Sequence, residues 1–139
     1  MSIELEHHLK LALKYFEEGK NLADKDPVQA SEKLYKAAEE IVKTLTMYFN
    51  LSDVLENVKK RGGWTVAELE RAVEAISERF GEWFISVWDI AWALHVWGFH
   101  EAKLDSKAVK VRLPYLERMI LEAYKIVKKK MNINLQGNC

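Results

Sequence analysis

Trp83–Glu101, WFISVWDIAWALHVWGFHE, is the stretch that decides the fold of this chain. Helical spacing puts apolar side chains on nearly every side of it, and it contains four of the five tryptophans. A surface helix keeps a polar face, so a helix without one is buried in a bundle, covered by a partner or placed in a membrane. Its few polar residues are satisfied inside the protein or kept for a function; they are Ser86, Asp89, His95, His100 and Glu101.

A membrane location is disfavoured for this stretch. The apolar run from Trp83 to Phe99 is near the lower limit of length for a bilayer span. Asp89 at its middle and His95 beyond it make insertion costly. The first ten residues, MSIELEHHLK, contain acidic side chains and no apolar core of signal-peptide length. Because the one cysteine is Cys139, no internal disulfide can form, and the expected compartment is a reducing cytoplasm.

The rest of the chain has the periodicity of amphipathic helices. Asp26-Pro27 is a helix start, and Thr65 with Glu68 is a capping box. Gly19 is expected to end the first helix. No stretch shows the alternation typical of strands. The pattern predicts an all-α protein, an antiparallel bundle of four long helices plus one short helix.

The chain is expected to form one domain, since 139 residues fill a single core. Residues 1–131 are predicted to be a single helical-bundle domain. The polar residues 132–139 are predicted to be a flexible C-terminal tail. Pro114 is expected to kink the last helix or to start a fresh segment.

Three segments together resemble a known family. They are Leu11–Gly19 with the polar connector after it, Ala30–Lys43 (ASEKLYKAAEEIVK) and Ala93–Asp105 (ALHVWGFHEAKLD). This arrangement resembles the archaeal PaREP family of small helical proteins, over about residues 5 to 128. That family is similar to the HEPN helical bundles, which accompany nucleotidyltransferases or act as ribonucleases. The resemblance implies an archaeal origin and a HEPN-like bundle, and it brings no settled activity.

The HEPN ribonucleases carry an arginine followed, after four to six residues, by a histidine at a dimer cleft. This chain lacks that spacing, because Arg79 precedes His95 by sixteen positions and no histidine follows Arg112 or Arg118. No catalytic residues are therefore predicted. Pairing of two chains remains expected, because bundles of this kind often pair through a long helix face.

Asp89, His95, His100 and Glu101 form the candidate polar site. On an α-helical wheel, Asp89 and His100 fall near one line, whereas His95 lies on another side. A histidine among aromatic side chains is usually a hydrogen-bonded core or interface residue, although histidine also shuttles protons near neutral pH. No nucleophile, second base or oxyanion donor completes a catalytic set. No zinc-ligand spacing or phosphate loop occurs, so no metal and no other cofactor is expected.

Charge is spread unevenly along a chain whose formal net charge is zero. Residues 1–100 carry 12 basic and 17 acidic side chains, whereas residues 101–139 carry 9 basic and 4 acidic ones. Cations suit the C-terminus of a helix, but a basic stripe can also meet phosphates. The candidate nucleic-acid-binding residues are Lys59, Lys60, Arg61 and Trp64 near the centre of the chain, and Arg118, Lys125, Lys128 and Lys129 in the last helix.

Three functions are compatible with the sequence. The first is a non-catalytic helical module that acts through protein contacts, as a homodimer or with another protein. The second, not favoured, is binding of RNA or nucleotides, as a degenerate HEPN nuclease or the accessory subunit of a nucleotidyltransferase. The third is a small-molecule pocket between helices, with His95 as its polar anchor. The bundle does not choose between them, because a fold does not imply a function.

Overall fold

Seven helices form the part of the chain that the computed structural model describes, which is the backbone of residues 2–137 and the side chains of residues 2–129. The helices are α1 (Ile3–Leu22), α2 (Pro27–Tyr48), α3 (Ser52–Arg61), α4 (Val66–Phe80), α5 (Trp83–Ala93, continued by the π-helical segment Leu94–His100), α6 (Ser106–Lys110) and α7 (Leu113–Gly137). This part contains no strand, so the predicted all-α class is confirmed.

The number of helices differs from the predicted four long helices plus one short helix. Five helices are long, and α3 and α6 are short. The predicted last helix is divided in two, because the chain turns at Val111 and Arg112 between α6 and α7. Pro114 then lies in the first turn of α7, where its missing N–H removes no helical hydrogen bond. The fresh segment expected at Pro114 is therefore observed.

The start of α2 follows directly from its sequence. Asp26 Oδ1 accepts a hydrogen bond from the backbone N–H of Gln29 at 3.1 Å, and Pro27 occupies the first helical position. This arrangement satisfies one of the free N–H groups at the helix N-terminus. The connection from α1 is only four residues long, so α1 and α2 form an antiparallel hairpin.

α2 is the central helix and touches every other helix of the described part. Its alanines at positions 30, 37 and 38 are fully buried and let neighbouring backbones come close. Gly19 lies inside α1, so the prediction that it ends the first helix is wrong. A Cβ at Gly19 would lie 2.7 Å from Leu34 Cγ, which shows that this glycine serves the close packing of α1 on α2.

α5 is buried on one side only. Phe84, Trp88 and Leu94 are fully buried and face the core. On the opposite side, Ile85 and Trp97 are exposed although both are large and apolar. Within this single chain, the most apolar helix therefore presents an uncovered face to solvent.

Two further predictions concern the membrane and the tail. No helix among the described residues has both the length and the apolar character needed to cross a bilayer. The backbone of α7 is helical to Gly137, past the predicted domain boundary at residue 131. The predicted tail, residues 132–139, has no described side chains, and residues 138 and 139 lie outside the described residues, so this boundary stays a prediction.

Candidate functional site

The last turns of α5 form a π-helical segment, Leu94–His100. Its hydrogen-bond pattern continues to the backbone N–H of Glu101, which donates to the carbonyl of Val96 five residues back, at 2.9 Å. Such segments are rare and are frequent at functional sites. In an α-helix, side chains five residues apart point about 140° away from each other. In a π-helix, they return to nearly the same side.

His95 and His100 face each other because of this change of helix type. Their Nε2 atoms lie 3.2 Å apart, and their rings meet edge to face. The wheel prediction that these histidines lie on different sides is wrong, since it assumed α-helical geometry throughout.

Glu32 of α2 extends the pair into a chain of three side chains. The Nδ1–H of His95 donates to Glu32 Oε1 at 2.8 Å. An ionised carboxylate only accepts hydrogen bonds, so this contact fixes the hydrogen of His95 on Nδ1. In neutral His95 the Nε2 atom is then an acceptor, and the Nε2–H of His100 donates to it. Glu32, His95 and His100 are called the Glu–His–His chain below.

Aromatic side chains hold the His95 ring in place. Tyr35 stacks on it, with ring centroids 4.1 Å apart and planes inclined by 24°. Trp92 packs on it from one turn earlier, with centroids 5.2 Å apart. Burial and the nearby glutamate carboxylates raise the pKa of Tyr35, so its hydroxyl stays protonated. The His95 side chain keeps 20 % of its surface exposed, so the Glu–His–His chain leads from α2 out to solvent.

Gly98 lets the π-helical segment approach α2. A Cβ at this position would lie 2.5 Å from the Cβ of Ser31 and closer still to its hydroxyl oxygen. Ser31 is itself fixed, because its hydroxyl donates to the carbonyl of Pro27 at 2.7 Å. Glu32 directly follows Ser31 in α2. The close approach of Gly98 to Ser31 therefore sets the distance between the π-helical segment, which carries both histidines, and the Glu32 carboxylate.

Asp89 and Glu101, the other two residues of the predicted polar site, do not join the chain. Both are exposed: Asp89 lies on the outer side of α5, and Glu101 follows the π-helical segment. Asp89 does not serve the buried ring next to it in the chain either, because the indole N–H of Trp88 donates to Glu70 Oε1 at 2.8 Å. The structure thus brings together two of the four predicted residues.

Glu32, Tyr35 and Trp92 were not predicted as site residues. Glu32 and Tyr35 lie three residues apart on one face of α2, within the segment Ala30–Lys43 that carries the family resemblance. His95 is 63 residues away from Glu32 in the chain, so no local pattern shows their pairing. The one sequence feature that could have suggested the pairing is that Ala30–Lys43 and Ala93–Asp105, both part of the family resemblance, contain polar residues beside aromatic ones.

The predicted basic patch lies at the C-terminal end of α3, with Trp64 just beyond it, and part of it makes local contacts. Arg61 Nε lies 2.9 Å from Glu68 Oε1, and Glu68 also accepts hydrogen bonds from the hydroxyl and the N–H of Thr65. The hydrogen bond from the Thr65 hydroxyl, followed by that from its N–H and the charge of Arg61, holds the pKa of Glu68 below its usual range against the opposing effect of burial. Trp64 is half-buried against the core, whereas Lys59 and Lys60 are exposed.

The cations of α7 also have neighbours. The Arg118 guanidinium lies 4.0 Å from the centre of the Trp83 ring, and the Lys128 ammonium lies 5.6 Å from that of Tyr124. Lys125 lies 3.7 Å from the carboxylate of Glu122. Lys129 is exposed. The two basic sets are on different helices, since Lys59, Lys60 and Arg61 end α3 and the four cations of the second set lie in α7.

Fold and site together define a small all-α protein with a polar chain at the junction of two helices. The sequence model of the archaeal PaREP1/PaREP8 family matches residues 7–120, which include the whole Glu–His–His chain. The chain belongs to this family, and the predicted resemblance is confirmed.

Two solved structures are similar to this chain. A crystal structure of a protein from Sulfolobus solfataricus is 38% identical, with a TM-score of 0.76, and the match covers 82% of this chain and 93% of that one. A solution structure of the Orf c02003 protein is 36% identical, with a TM-score of 0.74, and the match covers 85% of this chain and 92% of that one. No curated protein matches.

Proposed function

We propose that this chain is a HEPN-like, non-catalytic helical module that acts through protein–protein contacts and pairs with a second copy of itself. The observation that carries the proposal is the outer face of α5, formed by Ile85, Asp89, Ala93 and Trp97 at four-residue steps. Trp97 is 50 % exposed there. Tryptophan is enriched at the centres of interfaces, where burial of its large ring contributes much of the binding energy.

The character of α5 supports a self-pairing face. Its inner side is core, and its outer side offers two large apolar side chains, Ile85 and Trp97, that no other part of the described chain covers. Ala93 between them is small, so a second helix can approach closely. The HEPN-like assignment rests on the resemblance and the helical bundle, and the non-catalytic one on the missing arginine–histidine spacing. A cytoplasmic location is part of the proposal and is supported by the single cysteine.

Trp97→Lys is expected to abolish pairing, because it removes the larger of the two apolar side chains of this face and puts a strongly hydrated charge in its place. Sedimentation at micromolar concentrations should show a dimer for the unaltered chain and a monomer for the variant. Leu121→Lys on α7 is the matched control, since Leu121 is 47 % exposed but lies on another helix. Self-pairing is excluded by a monomeric unaltered chain, and the α5 interface by a dimer that survives Trp97→Lys.

RNA or nucleotide binding is the second candidate function. It is favoured by the exposed ammonium groups of Lys59 and Lys60 beside the half-buried ring of Trp64. Binding of this kind should weaken steeply as salt is added, because phosphate contacts release counterions. The variant Lys59→Glu/Lys60→Glu should lose such binding, and Lys107→Glu on α6 should keep it. An unaltered chain that binds no RNA, DNA or nucleotide at low ionic strength removes this candidate.

A further inference from the structure

The two facing histidines have the spacing of a metal-binding pair. Their Nε2 atoms are 3.2 Å apart. Two nitrogen ligands at the usual zinc–nitrogen distance, in tetrahedral geometry, lie about 3.3 Å apart. Imidazole is a preferred ligand of zinc, copper, nickel and iron ions. We propose that His95 and His100 bind one divalent transition-metal ion, of which Zn²⁺ is the representative, between their Nε2 atoms.

Glu32 prepares His95 for this role. Because the Nδ1–H of His95 donates to Glu32, the Nε2 lone pair points toward His100 and the space where the ion would lie. Histidines that bind metals regularly donate their other N–H to a carboxylate, which fixes the ring and makes it a better ligand. Binding requires the Nε2 atom of His100 to lose its hydrogen: a neutral His100 does so by carrying the hydrogen on Nδ1 instead, and a doubly protonated His100 by releasing the Nε2 proton to solvent.

The surroundings fix the His95 ring, and the backbone that carries both histidines, before any ion arrives. Tyr35 stacks on His95, and the close contact of Gly98 with Ser31 fixes the π-helical segment that carries both histidines. A site that is already ordered loses little conformational entropy on binding. Since His100 is exposed, an ion can enter from solvent.

The site is open rather than closed. Among the described side chains, no group of three or more histidine, cysteine, aspartate or glutamate residues is arranged to hold a metal ion. Two imidazoles therefore supply the protein ligands, and water or an external group fills the other positions. Open positions distinguish such a site from a structural zinc site, in which four protein ligands enclose the ion.

The chain contains its own control for this geometry. His8 of α1 also contacts a glutamate of α2, Glu40, and both side chains are mostly buried. Its neighbouring histidine, His7, precedes it in an ordinary α-helix, and the two ring centroids are 5.7 Å apart. This second pair has the histidine–carboxylate contact without the π-helical convergence of two Nε2 atoms.

Isothermal titration of the untagged chain with ZnCl₂ tests the proposal. We expect one ion per chain in the unaltered protein. His100→Ala should lower the affinity at least tenfold, and because His100 is exposed this variant should keep its fold, as checked by circular dichroism. His8→Ala should leave the affinity unchanged. Glu32→Gln keeps an oxygen acceptor for His95 but loses the charge, and it should weaken binding by about 10–100-fold.

Three outcomes would overturn the proposal. The first is an unaltered chain that takes up no Zn²⁺ at millimolar concentration. The second is uptake that is unchanged in His95→Ala and in His100→Ala, and the third is uptake that disappears in His8→Ala; in both cases the ion would lie elsewhere. None of these results bears on the pairing of chains through the outer face of α5, which is read from sedimentation.

Discussion

Trp88→Ala is expected to reduce the free energy of unfolding by about 3–5 kcal/mol, the range for removing a buried tryptophan ring. Trp88 is fully buried and packs between Tyr35 and Trp92, with ring centroids 5.8 and 6.5 Å away. Helices cannot move in to fill the space without disturbing the contacts on both sides of the ring. Urea unfolding of the variant and the unaltered chain at one protein concentration measures the difference.

Trp88→Phe separates the packing of this ring from its hydrogen bond. Phenylalanine keeps most of the volume but removes the N–H that donates to Glu70. We expect a smaller loss, about 1–3 kcal/mol, from leaving that carboxylate without its donor. If Trp88→Phe were as damaging as Trp88→Ala, the hydrogen bond and not the packing of the ring would dominate.

Gly98→Ala is expected to destabilise the protein by about 1–3 kcal/mol, as overpacking of a close contact does. Helix propensity alone predicts the opposite sign, because alanine favours helix over glycine by about 1 kcal/mol. The contact with Ser31 decides the outcome, since the added Cβ would lie 2.5 Å from the Ser31 Cβ and the backbones would have to separate. Thermal and urea unfolding measure the effect.

The control for Gly98→Ala is a rescue. Ser31→Gly removes the Cβ and the hydroxyl that the new methyl group would meet, so Gly98→Ala/Ser31→Gly should be more stable than the sum of the single changes predicts. Gly63→Ala should cost little, because no atom lies within 4 Å of a Cβ built there. If the changes in the free energy of unfolding of the two single variants simply added up in the double variant, the steric contact between Gly98 and Ser31 would not be the cause of the loss.

The helices could be predicted because their signals are local. The aspartate cap and proline at the start of α2, and the capping box of Thr65 and Glu68, act within three residues of each other, and both are present in the structure. The division between α6 and α7 could be predicted only in part from the sequence. Pro114 showed that a segment could begin there, but Asp105 as the cap of α6 was not recognised.

The Glu–His–His chain could not be predicted for two physical reasons. The segment around His95 is apolar on nearly all sides, so the period of its apolar residues cannot reveal that one turn contains an extra residue. The partner of His95 is in another helix, and only the packing of α2 against the π-helical segment brings Glu32 to it. The exposure of Asp89 could not be predicted from the helical wheel either, because the wheel does not show which side of α5 the rest of the bundle covers.

The π-helical segment that carries the two histidines also affects how the sequences of family members should be aligned. A separation of five residues in a π-helix places two side chains as a separation of four does in an α-helix. A relative with one residue fewer between the histidines, and an ordinary helix, would keep the two rings facing. A relative with the same five-residue separation in an α-helix would turn the second ring away. A one-residue gap between the two histidine columns of an alignment can therefore accompany a histidine pair that still faces each other. Conversely, two aligned histidines without a gap can belong to a relative in which the rings no longer face each other.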